Sequence, residues 1–135
     1  MKEAQMKEKL IQYCDLKKEI ENLEKRIDKI RKQSDLIADV VQNGFKGHTV
    51  IRGIDWNRQH KLNKLEAVLQ ERYDKLLDMQ TEIEEWINTI DRSDIRQIIE
   101  RRYIDGMNWI QIQHTMNYDS ESTARVKHDR FLEKN

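Results

Sequence analysis

From Met6 to Val41 the apolar residues fall at heptad spacing: Met6, Tyr13, Leu16, Ile20, Leu23, Ile27, Ile30, Ile37 and Val41. Lys9 and Ser34 are the two interruptions, and the chain contains no proline to break the run. Three-four spacing held over this length, with charged flanks, is the signature of a coiled-coil seam. Glu21 and Lys25, between seam positions, can pair one helical turn apart and keep the outer face wet. At ~1.5 Å per residue the helix would run roughly 50–60 Å. A single helix of that length cannot bury its own stripe and needs a partner.

Heptad spacing resumes at Leu62 and continues through Leu65, Leu69, Leu76, Met79, Ile83, Trp86 and Ile90. Arg72 breaks this seam, with Tyr73 beside it to cover the gap. Between the two runs lies GFKGHTVIRGIDWN, which holds three of the four glycines. Residues 43–55 are therefore expected to form an irregular connection. Its apolar residues, Phe45, Val50, Ile51, Ile54 and Trp56, are expected to fold back on the hairpin end, with a docking patch as the other reading. Two helices of similar length joined by one loop should form an antiparallel pair. The first is slightly basic and the second acidic near its end, at Glu82, Glu84 and Glu85, which favours mutual pairing. Heptads alone do not decide between pairing within the chain and pairing with a second copy.

Composition narrows the function. Charged residues make up 37% and the formal net charge is zero, so sequence-independent attraction to nucleic acid is weak for the whole chain. The single cysteine, Cys14, excludes an internal disulfide and a cysteine-based zinc site, and reads as a small packed residue near the seam. The opening MKEAQMKEKL has no apolar run, so no signal peptide or membrane anchor is expected. The expectation is a cytoplasmic protein with no membrane partner.

The last third, from Asp91, reads as three helices separated by two tight turns. Asp91 or Ser93 is placed to cap the first, whose apolar face is Ile95, Ile98, Ile99 and Tyr103. Gly106 stands at a left-handed helix stop. Asn108 with Gln111 forms a capping box for a short helix whose inward face is Trp109, Ile112 and Met116. Asn117 suits a left-handed turn, and Asp119 is placed to cap the last helix, with Thr123, Val126 and Phe131 inward. The expected architecture is all-α: a long antiparallel helical hairpin over residues 1–90, then a three-helix helix-turn-helix domain over residues 91–135.

The stretch RRYIDGMNWIQIQHTMNY resembles the helix-turn-helix of bacterial sigma factor region 4. It is most similar to the sigma-region-4-like transcription regulators encoded by phages of Gram-positive bacteria, the ArpU and RinA type among them. Tyr103, Gly106, Asn108, Trp109, Ile112, Met116 and Tyr118 fill that pattern over about forty residues. The resemblance to the upstream hairpin is architectural only. Where the family usually has Ser followed by basic residues at the start of the last helix, this chain has Asp119, Ser120 and Glu121. Arg125 falls where the family commonly places Arg. The resemblance implies a cytoplasmic activator of phage genes that binds double-stranded DNA and works with host RNA polymerase.

With Val126 inward, the outward side of the last helix holds Glu121, Ser122, Arg125 and His128. Arg125 then takes a guanine edge, Ser122 a base or phosphate, and Lys127 and Arg130 track the backbone. Asn108 and Gln111 sit at a helix N-terminus that favours a phosphate, and Arg101 and Arg102 are further backbone candidates. Taken singly, each of these cations also reads as a solvated surface charge. The module from Asp91 onward carries eight basic and eight acidic side chains, so it is neutral. That balance supports a second reading, an adaptor that keeps the fold but binds a host or phage protein.

Other chemistries find little purchase. His48, His60, His114 and His128 are scattered without metal-ligand spacing. GFKGHT lacks the spacing of a phosphate-binding loop, and the carboxylates sit on helix faces beside lysines. No catalytic residue, metal, cofactor or small-molecule substrate is expected, and a homo-oligomer through the coiled coil stays open beside pairing within the chain.

Overall fold

The computed structural model describes the backbone of residues 2–42 and 48–133, and the side chains of residues 5–33 and 56–133. The described chain is all-helical: α1 (Lys2–Gln42), α2 (His48–Ile87), α3 (Ser93–Ile99), α4 (Trp109–Met116) and α5 (Glu121–Glu133). A π-helical turn, Glu100–Ile104, extends α3. No described helix is long and apolar enough to cross a membrane.

The described part of the α1 stripe has no interruption. Met6, Leu10, Tyr13, Leu16, Ile20, Leu23 and Ile27 are all buried. The stripe passes through Leu10, which is fully buried, so Lys9 stands beside the seam and pairs with Glu82 instead. Ile37, Val41, Phe45, Val50, Ile51 and Ile54 lie outside the residues whose side chains are described. α2 starts at His48, so the irregular connection expected to reach Asp55 ends several residues earlier. One glycine costs a helix only about 1 kcal/mol, and Gly53 does not stop this one. Trp56 does not fold back, since it is 73% exposed.

Packing divides the chain into two units, residues 17–75 and residues 1–16 with 76–135. In the first, α1 and α2 run antiparallel: Glu19 meets Arg72, Arg31 meets Glu66, and Arg58 donates to Gln33 at 3.5 Å. Leu23, Ile27 and Leu62 form its core, with Ile30, Leu65, Val68 and Leu69 against them. Arg72 thus flanks the seam as the partner of Glu19, and Tyr73 is exposed.

In the second unit the start of α1 and the end of α2 are again antiparallel, because Lys9 meets Glu82 while the buried Tyr13 donates to Gln80 at 3.0 Å. Met6, Leu10 and Tyr13 from α1 share one core with Ile83, Trp86 and Ile87 from α2, Ile95 and Ile99 from α3, and Leu132 from α5. Each fully buried aliphatic side chain contributes about 1.5–3 kcal/mol. α3 also faces a second core, where Ile98 packs with Ile112 of α4 and Ala124 of α5. Burying Ile95 and Ile99 on one side and Ile98 on the other makes α3 the shared wall of two cores. This packing includes Ile90 and Ile95, on either side of residue 91.

Candidate functional site

The site is built from α4, α5 and the turn between them. Asn108 accepts from the Gln111 N–H at 2.8 Å, and the Gln111 side chain accepts from the Asn108 N–H at 2.9 Å. This reciprocal box starts α4 where the sequence places it. Asn117 ends α4 in the left-handed conformation, at φ 58°. The Tyr118 N–H then reaches back to the Gln113 carbonyl at 3.0 Å, closing a Schellman turn. α5 begins one residue later than a cap at Asp119 would require. Ser120 holds the preceding position, with its hydroxyl 2.9 Å from that of Ser122 and 3.2 Å from that of Thr123.

The start of α3 also departs from expectation. Its cap is Arg92, which makes no side-chain cap bond, and neither Asp91 nor Ser93 takes that place. Asp94, inside the first turn, accepts from the Ile95 N–H at 2.9 Å and pairs with Arg92 at 2.8 Å and Lys127 at 3.1 Å. Burial pulls the Asp94 carboxyl upward, but the bonds from Lys127, Arg92 and the Ile95 N–H prevail and hold it below the usual carboxylate range. Asp94 in turn raises the Lys127 ammonium. At the other end, the Asp105 N–H bonds to the Glu100 carbonyl at 3.0 Å and the Met107 N–H to that of Arg101 at 2.9 Å. Gly106, at φ 71°, supplies the left-handed residue this wide turn needs.

The phase of α5 corrects the expected recognition face. Its buried residues are Ala124, His128 and Leu132, with Phe131 half-buried beside them. His128 is therefore inside, and cannot be one of the outward contacts, while Val126 is 38% exposed and points away from the core. The imidazole is held from three sides. Nε2 lies 2.6 Å from the Tyr103 hydroxyl, Nδ1 lies 2.9 Å from the Asp129 carboxylate, and the Trp109 ring meets it edge-on at 5.0 Å. The Asp129 carboxylate only accepts, so Nδ1 carries the hydrogen and Tyr103 donates to Nε2. Burial pushes His128 below its ordinary value against the pull of Asp129, with Arg102 and Lys7 adding to the depression. Burial likewise pushes Tyr103 up to about 12.

The remaining candidates separate by what holds them. Lys127 is tied to Asp94, 3.4 Å from the Tyr118 hydroxyl and over that ring at 4.9 Å. Arg102 donates to the Met107 carbonyl at 3.2 Å and lies over the Trp109 ring at 4.6 Å. Arg101 is half-buried, between Gln97 at 3.1 Å and the Met116 sulfur at 3.3 Å. These three cations brace the module. Asn108 and Gln111 are exposed, but their side chains are engaged in the capping box. Ser122, Arg125 and Arg130 remain on the exposed side of α5. Arg125 is half-exposed and, among the described residues, pairs with Glu121, one turn back at 3.8 Å. Sequence reasoning missed Val126 on this face. Placing His128 inward is the one change of phase that reveals it.

Among the described residues, no group of three or more His, Cys, Asp or Glu is placed to hold a metal ion. Comparison with protein-family models, curated proteins and solved structures returned no match.

Proposed function

We propose that the chain is a DNA-binding transcription regulator in which α4 and α5 act as a helix-turn-helix and α5 enters the major groove. In this reading α1 and α2 form an antiparallel coiled-coil hairpin that carries the module and contacts host RNA polymerase or a second copy. It is an activator of phage genes, as the resemblance to sigma-region-4-like regulators implies. The observation that carries the reading is the exposure of the Arg125 guanidinium on α5, following a capped helix and a left-handed turn at Asn117. Such a guanidinium can engage a guanine edge bidentately.

The test is retention on duplex DNA. The protein should be held at low salt, released steeply as salt rises, and should select particular sites from a random pool. Arg125→Ala should lose site selection without unfolding. The adaptor reading has its own support: Lys127, Arg101 and Arg102 are engaged within the protein, leaving few cations for phosphates. Absence of retention at low salt would decide for the adaptor.

A further inference from the structure

We infer that Val126 is a specificity-determining residue that reads the 5-methyl group of a thymine beside the guanine taken by Arg125. The inference rests on the DNA-binding reading of α5 and names part of the sequence that face selects.

Val126 is 38% exposed, on the side of α5 away from its buried residues. At about 100° per residue it lies roughly 160° from both Ala124 and His128, the buried residues around it. It belongs to none of the three cores of the described residues. Helix propensity does not account for it, because a β-branched residue is less favourable there than Ala, Glu or Lys. A protein-docking patch does not account for it either. Its neighbours on the outward face of α5 are Ser122, Arg125, Asp129 and Arg130, all exposed and polar, so α5 itself offers no apolar stripe around it.

The same setting suits a base edge. In the major groove the apolar feature that distinguishes one base pair from another is the thymine methyl. Valine in a helix holds one χ1 rotamer, so its two methyl groups are presented at a fixed place with little entropy left to lose. Consecutive helix residues differ by ~1.5 Å in rise and ~100° in direction, so with α5 in the groove the Arg125 and Val126 side chains reach different base edges a short way apart. Glu121 and Asp129, one turn to either side of Arg125, repel phosphates and leave base contacts to supply more of the discrimination.

The experiment selects sites from a random duplex pool with the full chain, then replaces each selected thymine in turn with deoxyuridine. Wild type should lose about fourfold in affinity at one position, the worth of one buried methyl group. Val126→Ala, whose retained helicity is checked by circular dichroism, should bind the thymine and deoxyuridine duplexes equally at that position. The inference is overturned if wild type is indifferent to every replacement, if the selected site holds no thymine, or if Val126→Ala keeps the discrimination. Failure to retain any duplex would remove the DNA-binding reading itself. Retention without methyl sensitivity removes only the role of Val126.

Discussion

The Tyr103 hydroxyl donates to Nε2 of His128 at 2.6 Å, joining the π-helical end of α3 to the buried side of α5. The bond satisfies two polar groups that would otherwise be costly inside a small core. Burial of the imidazole makes the module acid-sensitive. The folded His128 is depressed below its ordinary 6.5, so the unfolded chain binds more protons as pH falls. The stability His128 confers is complete above about 6.5 and is lost as pH falls through the lower folded value. Urea unfolding between pH 8 and 5 should show this loss. His128→Phe should remove that pH-dependent component, and at pH 7 should cost about 1–3 kcal/mol because the bond from Tyr103 is lost. Parallel pH profiles for the two proteins would contradict the assignment.

Lys127 was a natural candidate for tracking a phosphate backbone, yet its ammonium is committed to Asp94 on α3. Lys127→Met should therefore act on stability, at about 1 kcal/mol, and leave the salt dependence of duplex binding nearly unchanged. Arg130→Ala gives the contrast. Arg130 is exposed, and its loss should flatten the slope of log affinity against log salt by about one while leaving stability within about 0.5 kcal/mol. A flatter slope for Lys127→Met would return that residue to the DNA face.

What was legible in the sequence was whatever local chemistry decides. The box at Asn108 and Gln111, the left-handed Asn117 and the inward Ile95, Ile98 and Ile99 each follow from residues within one or two turns. The misplaced features depend on partners far along the chain. Asp94 is drawn to Lys127, 33 residues away, while Arg92 and not Asp91 or Ser93 stands at the start of α3. His128 reads as polar until Tyr103, 25 residues away, satisfies it. Once His128 is assumed to face solvent, Val126 is turned inward by the same error. The π turn at Glu100–Ile104 has no sequence signal that we recognise. Leu10 is hard to see in the sequence because Lys9 fits the seam spacing equally well, a one-residue choice that only packing resolves.

Asn117 is the described non-glycine residue with positive φ, at 58°, and it sets the angle at which α5 leaves α4. Asn tolerates this region better than Ala because its short amide can bond locally. Asn117→Ala should lose about 1 kcal/mol, whereas Asn117→Gly should stay within about 0.5 kcal/mol of wild type. Thermal unfolding of the two variants checks the order. Equal losses would mean that the side chain, and not the backbone angle, is what matters here.

Leu10 lies more than a hundred positions from Arg125 in sequence, yet it shares a core with Ile95, Ile99 and Leu132, which hold α3 and α5 in place. Leu10→Ala should cost about 2–5 kcal/mol, the usual range for a fully buried leucine. Lys9→Ala removes only a half-exposed ion pair with Glu82 and should cost at most about 1 kcal/mol. Because the same core includes residues of α5, Leu10→Ala should lower the unfolding midpoint of the C-terminal helices along with that of α1. Near-ultraviolet circular dichroism reports Trp86 and Trp109 together, while hydrogen exchange follows Ile112 and Ala124 separately. Undiminished protection of Ile112 and Ala124 in Leu10→Ala would show that the C-terminal helices stand on their second core alone, and that the start of α1 does not support the reading face.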